Sequence, residues 1–199
     1  SRLQLGAQTE ERVIFVPGDK SLSINWPLLH SVIVAAHEKE ILRLNPVIVF
    51  GVHPGDPNSP SCYTEAMYLS HRIRVLIKKT DEMSGKEIVP GSNLIVTAGS
   101  TLGEIAAYQR KPVIGFFYDC LRENNGSLPP VWDLAARGAA LVVRDGSIET
   151  LSGFIKVLLS PLGCKQLVRA QERNYPSPPK PGSTAECVAN TIETFFFKK

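Results

Sequence analysis

The sequence lacks several features that would place a protein in a specialised class. Its 199 residues contain no apolar run that approaches the ~20 residues a membrane-spanning helix needs. Residues 1–11 are polar and lack the apolar segment of a signal peptide. The net charge of +3 is too small to favour nucleic acid or a membrane surface in general as a partner. The composition therefore predicts a soluble globular protein that has no nucleic-acid partner.

Paired cysteines and clustered metal ligands are also missing. The four cysteines lie far apart, none belongs to a Cys-x-x-Cys pair, and no histidine cluster accompanies them. No Asp-x-Asp pair occurs, so we expect no metal ion. Scattered thiols in a chain of this size are typical of a reducing compartment. We therefore expect a cytoplasmic protein that would reach a membrane only through a partner.

Six short apolar runs predict β-strands. Most of them show little polar alternation, which is typical of strands that are buried on both faces of a parallel sheet. Helical patterns lie between the runs, and this order favours an α/β fold: a doubly wound, mostly parallel six-stranded sheet with helices on both faces. The predicted strands cover residues 13–16, 47–52, 73–77, 94–97, 113–117 and 140–143.

Helix-start signals and apolar spacing give the predicted helices and the domain organisation. Pro27 suits the first turn of a helix, and apolar residues follow it at helical spacing. Four further helices are predicted at residues 61–70, 101–109, 131–137 and 147–159. The expected organisation is a disordered or extended start at 1–11, a Rossmann-like domain at 12–174, a proline-rich connector at 175–182 and a docking C-terminal helix at 183–199.

The strand–turn–helix segment at residues 93–104 is the most informative stretch of the sequence. An apolar strand leads into a turn of small residues, including Gly99, Ser100 and Thr101, and then into a helix. Such a turn places free backbone N–H groups at a helix N-terminus, where they can hold phosphate. Glu104 follows just inside the helix, where its carboxylate could accept hydrogen bonds from sugar hydroxyls. The segment therefore favours a nucleotide over a bare anion.

A purely structural interpretation of this segment also exists. The spacing of Thr101 and Glu104 is that of a capping box, which closes a helix start without any ligand. Gly103 argues the other way, since glycine in a helix costs about 1 kcal/mol relative to alanine. That cost favours the close approach of a ligand.

Loops after the first two strands hold further candidates. Residues 16–21 lack the spacing of a Walker loop, but Gly18 allows close backbone approach and Lys20 could contact phosphate. His53 follows the second strand and could contact phosphate or act as an acid or base. The alternatives are an ordinary turn with an exposed lysine and a Pro/Gly turn with a surface histidine.

A polar loop follows the fifth strand, at residues 118–126. Six of its nine side chains can form hydrogen bonds, among them Asp119, Asn124 and Asn125, so the loop could bind sugar hydroxyls. Composition alone favours a solvated loop.

Taken together, these stretches resemble the C-terminal half of a GT-B glycosyltransferase, and in particular the peptidoglycan N-acetylglucosaminyl transferase family that makes lipid II. Residues 99–107, 136–140 and 186–190 carry the resemblance. The Pro17-Gly18 pair is also similar to lipid-A-disaccharide synthase. His53-Pro54 is similar to the non-hydrolysing UDP-N-acetylglucosamine 2-epimerases, which share the same scaffold.

The resemblance implies a role for each candidate. Glu104 would accept hydrogen bonds from the ribose hydroxyls, and the backbone of residues 99–101 would hold the diphosphate. Residues 75–79 and the loop after them would flank the uracil, while residues 119–126 would bind the sugar. The reaction would transfer a sugar from its diphosphate leaving group to an acceptor. No cofactor is expected beyond the UDP-sugar donor itself.

This sequence also departs from the family. The paired glutamines of the family's sugar loop have no counterpart, and the Ser100-Thr101 turn is one residue shorter. A GT-B enzyme has two Rossmann-like domains and only one is here, so we expect an acceptor-binding domain or subunit as partner, and any peripheral membrane contact through that half.

Two other classes of function stay open. One is half of a UDP-sugar 2-epimerase or hydrolase, with His53, Asp119 and Glu123 as acid or base groups. The other is a non-catalytic interaction domain.

Overall fold

The computed structural model describes residues 2–58, 60–65, 71–116 and 131–175. In this part of the chain, six strands form one parallel sheet in the order β3-β2-β1-β4-β5-β6, which confirms the predicted α/β fold. The strands are β1 (Arg12–Pro17), β2 (Pro46–Gly51), β3 (Arg74–Lys78), β4 (Leu94–Thr97), β5 (Val113–Phe116) and β6 (Leu141–Val143).

Helices connect and cover the strands on both faces of the sheet. Eight α-helices fall within the described residues, together with 3-10 turns at Pro60–Tyr63 and Val89–Gly91. The helices are α1 (Arg2–Leu5), α2 (Leu22–Ala36), α3 (Lys39–Leu42), α4 (Gly85–Ile88), α5 (Leu102–Tyr108), α6 (Val131–Ala136), α7 (Ile148–Leu159) and α8 (Pro161–Asn174).

The sheet separates two apolar layers. β1 and β4 bury nearly every side chain, as expected of strands covered on both faces. On one face, α2 and α7 pack through residues such as Val32 and Ile155. On the other face, Leu5 of α1, Ala106 of α5 and Leu134 of α6 belong to the second layer.

The start of the chain differs from the prediction. Residues 2–11 are not simply disordered or extended, because α1 buries Leu5 and the following Ala7 in the second apolar layer. Arg2 fixes the helix by donating to Asn93 Oδ1 at 2.5 Å and to the carbonyl oxygen of Thr9 at 3.2 Å. Two leucines in a polar stretch were too weak a signal to predict this.

Two helices also differ from the sequence prediction. Pro27 lies inside α2 instead of in its first turn, because the helix begins five residues earlier, where Asn25 N–H donates to the Ser21 carbonyl oxygen. Helix α8 was not predicted. Apart from Tyr175, the predicted connector at 175–182 and the predicted last helix lie outside the described residues. No single described helix is long and apolar enough to cross a membrane. Among the described helices, only α7 and α8 taken together have the length and apolar composition of a membrane span, and they are bent by 88° where they meet.

Candidate functional site

The strand order reverses between β1 and β4, and ligands of doubly wound folds bind at the carboxyl ends of the strands beside such a switch point. A cavity of about 420 Å³ lies there. Gly18 of the loop after β1, His53 of the loop after β2, and Ser100 and Thr101 of the turn after β4 all line it. The fold thus brings together four residues that the sequence predicted for one site.

The turn after β4 is held by its own side chains. Gly99 has a φ of 127°, a conformation that side chains disfavour. Thr97 Oγ1 accepts hydrogen bonds from the N–H groups of Gly99 at 3.2 Å and Ser100 at 2.9 Å, and Ser100 Oγ accepts from Leu102 N–H at 3.3 Å. The prediction of a turn full of free N–H groups is therefore wrong for these positions. Among the described residues, Thr101 N–H of this turn makes no hydrogen bond.

The capping box that was the alternative interpretation of Thr101 and Glu104 does not form at the start of α5. Thr101 has helical backbone angles, with φ −57° and ψ −16°, and its side chain makes no capping hydrogen bond. Glu104 is therefore not committed to closing the helix. It is half-buried and does not line the cavity. Tyr108, one turn further along α5, packs edge to face on Tyr175 with ring centroids 5.4 Å apart, so Glu104 lies on the side of α5 that faces Tyr175.

His53 stands between two depressions at the carboxyl edge of the sheet. It lines the 420 Å³ cavity and also a second cavity of about 450 Å³ beside Asn58 and Lys79. Its Nδ1 accepts a hydrogen bond from Gly55 N–H at 2.8 Å. In the neutral ring the proton is then on Nε2. The geometry makes neutral His53 a hydrogen-bond donor toward a ligand.

A buried polar network ties the loops after β1 and β2 together, and the sequence analysis missed it. The fully buried Asn25 side chain accepts from Asp19 N–H at 2.6 Å and donates to Asp56 Oδ2 at 3.0 Å. It also lies 2.8 Å from the hydroxyl of the buried Tyr63, which donates to Asp56. Asn58 donates to the other oxygen of Asp56. These contacts fix the loop that carries His53.

The network also shifts the acidity of its members. Burial raises the pKa of Asp56, but hydrogen bonds from Tyr63, Asn58 and Asn25 outweigh it and hold the pKa below its ordinary value. Burial and the bond to Asp56 raise the pKa of Tyr63. Asp56 is therefore an ionised structural group with its acceptors occupied.

Of the two predicted residues of the first loop, Gly18 lines the cavity and Lys20 does not. Gly18 N–H donates to the Gly51 carbonyl oxygen at 2.8 Å, and a Cβ on Gly18 would lie 2.8 Å from that same oxygen. The close backbone approach at Gly18 thus serves β2. Lys20 is exposed, its side chain packs beside Gly55, and it does not line the cavity.

Helix α4 contributes a cation that the sequence analysis overlooked. Ser84 and Glu87 form a capping box at its start, with Ser84 N–H 2.8 Å from Glu87 Oε2, and these hydrogen bonds lower the pKa of Glu87. Gly85 packs so tightly on Leu102 that a Cβ would clash. This packing puts Lys86 in the wall of the cavity. A lysine in a short polar segment carries no pattern that sequence reasoning could use.

Other predicted site residues lie outside the described part of the chain, namely Asp119, Asn124 and Asn125, together with Arg122 and Glu123 of the same loop. In the described ranges, no group of three or more His, Cys, Asp or Glu side chains could hold a metal ion. Cys62 and Cys164 are free thiols.

Comparison with known proteins establishes the fold. No protein-family model and no curated protein sequence matches the chain. Solved structures do match, among them a putative UDP-N-acetylglucosamine 2-epimerase from Listeria monocytogenes, with a TM-score of 0.62 and 14% identity over 98% of this chain and 48% of that one. The S. aureus MnaA structure with UDP gives 0.61 and 16% over 98% and 48%. WaaG, a glycosyltransferase of lipopolysaccharide biosynthesis, gives 0.59 and 13% over 96% and 49%.

The chain spans about half the length of these neighbours. The structures that match include both glycosyltransferases and epimerases, so the likeness supports the GT-B fold without singling out the lipid II transferase family. The protein has the Rossmann-like fold of one half of a GT-B protein.

Proposed function

We propose that the chain is a nucleotide-sugar-binding half of a GT-B glycosyltransferase, with a UDP-sugar as donor. The observation that carries the proposal is the chemistry of the 420 Å³ cavity. Its described lining offers the Thr101 N–H, the Ser100 hydroxyl, His53 and the Lys86 ammonium, and it includes no aspartate or glutamate. Donors and a cation without a carboxylate suit an anionic diphosphate.

These groups would act on the leaving group. As the bond to the sugar breaks, negative charge grows on the diphosphate, and donors already in place stabilise it without reorganising. His53 contributes Nε2–H, since its Nδ1 is occupied by Gly55 N–H. This tautomer favours binding over acid–base catalysis, and hence a transferase half over an epimerase half.

The remaining roles follow from the family resemblance. Glu104 forms no capping box with Thr101, and its carboxylate would accept hydrogen bonds from the ribose hydroxyls. The end of β3 would flank the uracil, and Asp119, Asn124 and Asn125 would contact the sugar. The S. aureus neighbour was solved with UDP. The acceptor would be held by a second domain or subunit, and the lipid II family remains our specific proposal for the reaction.

A thermal-shift experiment tests the proposal. We expect millimolar UDP to raise the melting temperature by several degrees and UMP to raise it less, because ligand binding to the folded state stabilises it by mass action. Lys86→Ala should reduce the UDP effect. Lys165→Ala, the same substitution on the distant α8, should leave the effect intact. No shift with UDP, or equal loss in both variants, would count against the proposal.

A further inference from the structure

Basic side chains are concentrated at the amino edge of the sheet, opposite the candidate site. Twelve Lys and Arg and five Glu belong to α1, α3, the last turn of α7, α8, and the segments that lead into β1 to β5 with the first residues of these strands. Twelve minus five leaves seven positive charges in excess. The whole chain carries only +3, so the rest of it is net negative. The cations are Arg2, Arg12, Lys39, Arg43, Arg72, Arg74, Arg110, Lys111, Lys156, Lys165, Arg169 and Arg173.

Helix α8 forms one part of this edge. It turns by 88° from α7, and Gln171 Nε2 donates to the carbonyl oxygens of Lys111 at 2.8 Å and Ala139 at 3.1 Å, just before β5 and β6. The helix therefore crosses beneath these two strands. Lys165, Arg169 and Arg173 follow at a spacing of four residues, which places them on one face, and all three are exposed.

The other part lies under β1, β2 and β3. Arg12 begins β1, Arg43 directly follows α3 ahead of β2, and Arg72 precedes β3. All three are exposed, and neighbouring parallel strands lie about 4.8 Å apart. The two parts meet at α1, because Lys111 Nζ donates to the Pro90 carbonyl oxygen at 2.7 Å and the Arg2 side chain lies beside the next residue, Gly91.

Few carboxylates oppose these cations. The five in the set are Glu10, Glu11, Glu38, Glu40 and Glu172. Glu11 already pairs with Arg74 at 2.9 Å, and Glu40 pairs with Lys156. Nine of the twelve cations are exposed, and Arg2, Arg110 and Lys111 are half-buried, so most of the excess positive charge faces solvent.

Two leucines protrude among the cations. Leu3 of α1 is 80% exposed and Leu162 in the first turn of α8 is 71% exposed. In the part of the chain that the structure describes, the other exposed large apolar side chains reach at most 48%. From this combination we infer that the amino edge docks on the surface of an anionic phospholipid bilayer. The cations attract the headgroups and the leucines enter the interface. Docking in this way leaves the candidate site facing away from the bilayer and open to a partner domain.

Vesicle co-sedimentation of the full chain tests the inference. The protein should bind vesicles that contain phosphatidylglycerol, should ignore vesicles of phosphatidylcholine alone, and should be released as salt screens the charges. The triple substitution Lys165→Glu, Arg169→Glu and Arg173→Glu should weaken binding at least ~10-fold, because each cation near an anionic surface contributes measurably. The double substitution Leu3→Ser and Leu162→Ser should also weaken binding to these vesicles, although it leaves the net charge unchanged.

A matched control separates position from net charge. Lys20→Glu, Lys79→Glu and Lys86→Glu change the charge by the same amount at the opposite edge, and this variant should still bind the vesicles. Circular dichroism and melting temperature show that each variant is folded. Equal loss in both triple variants, no binding of the unaltered chain at low salt, or tighter binding to single-stranded RNA than to vesicles would overturn the inference. UDP binding is measured separately, so either proposal can fail alone.

Discussion

The Asn25 side-chain amide donates to the Asp56 carboxylate at 3.0 Å and thereby joins helix α2 to the loop that carries His53. Asn25 is fully buried, so its polar atoms must be satisfied inside the protein. The contact connects the loops after β1 and β2, which form one side of the candidate cavity. The position of His53 thus depends on Asn25 and Asp56, which do not line the cavity themselves.

Replacing Asn25 should therefore affect both stability and binding. Asn25→Ala leaves Asp56 and Asp19 N–H short of partners, which we expect to cost about 1–3 kcal/mol in the free energy of unfolding. The affinity for UDP should fall as His53 moves. Urea unfolding and calorimetric titration with UDP measure the two effects.

Gln171→Ala provides the control, since Gln171 is also a fully buried amide and bonds two backbone carbonyls at the opposite edge of the sheet. It should lower stability to a similar degree and leave the UDP affinity unchanged. Loss of UDP affinity in both variants would show that destabilisation alone accounts for the effect.

The hydrogen bonds to Asp56 predict a specific pH dependence. Because its pKa is lower in the folded state than in the unfolded chain, Asp56 stabilises the fold above the unfolded pKa of about 3.9 and loses that contribution as pH falls through the folded pKa. Asp56→Asn should therefore cost stability near neutral pH and progressively less as the solution becomes more acidic. Urea unfolding of both proteins over an acid pH series checks this. A difference that grows toward low pH would contradict the sign of the shift.

Backbone conformation explains the glycine of the turn after β4. Gly99→Ala should destabilise the protein by about 1–3 kcal/mol, because alanine at a φ of 127° is strained. Gly153 is a useful comparison, since it lies in α7 and a Cβ there would meet no atom within 4 Å. Gly153→Ala should stabilise the helix by about 0.5–1 kcal/mol. Melting temperatures of the Gly99→Ala and Gly153→Ala variants distinguish the two positions. Equal changes in melting temperature would show that a side chain at position 99 does not strain the turn.

Glu104 offers a test that separates ribose binding from helix capping. Because Glu104 makes no capping box with Thr101, Glu104→Ala should change the free energy of unfolding by less than about 0.5 kcal/mol. It should weaken UDP by about tenfold or more, since a hydrogen bond to a charged acceptor is lost. The unaltered chain should bind 2′-deoxy-UDP more weakly than UDP, and Glu104→Ala should reduce the affinity for 2′-deoxy-UDP less than the affinity for UDP. An identical fall for both nucleotides would argue against a ribose contact.

Local apolar pattern was sufficient to predict all six strands, because buried parallel strands are continuous runs of Val, Ile, Leu and Phe. The helix Pro161–Asn174 escaped because its exposed face is largely charged and only Gly163, Leu167, Ala170 and Gln171 are buried. Its role depends on the loop carbonyls that Gln171 meets, which are far away in sequence.

The candidate site was partly predictable for a similar reason. His53, Ser100 and Thr101 stand directly after strands, so the topology alone places them at one edge. The Asn25–Asp56–Tyr63 network could not be predicted, because Asn25 lies 31 residues from Asp56 and 38 from Tyr63 in sequence. Lys86 could not be predicted either, because its place in the cavity wall depends on the packing of Gly85 against Leu102. The capping box, the alternative interpretation of Thr101 and Glu104, is absent, because residue spacing does not reveal that Thr101 is already helical.

A two-dimensional 15N NMR titration of the full chain with UDP tests the proposed nucleotide site most directly. We expect the amide signals of Ser100, Thr101 and Lys86 to shift together and saturably, along with the imidazole nitrogens of His53, while the amide signals of α8 remain in place. Absence of any shift at millimolar UDP, or shifts confined to the basic amino edge, would contradict a nucleotide site at the carboxyl ends of β1, β2 and β4.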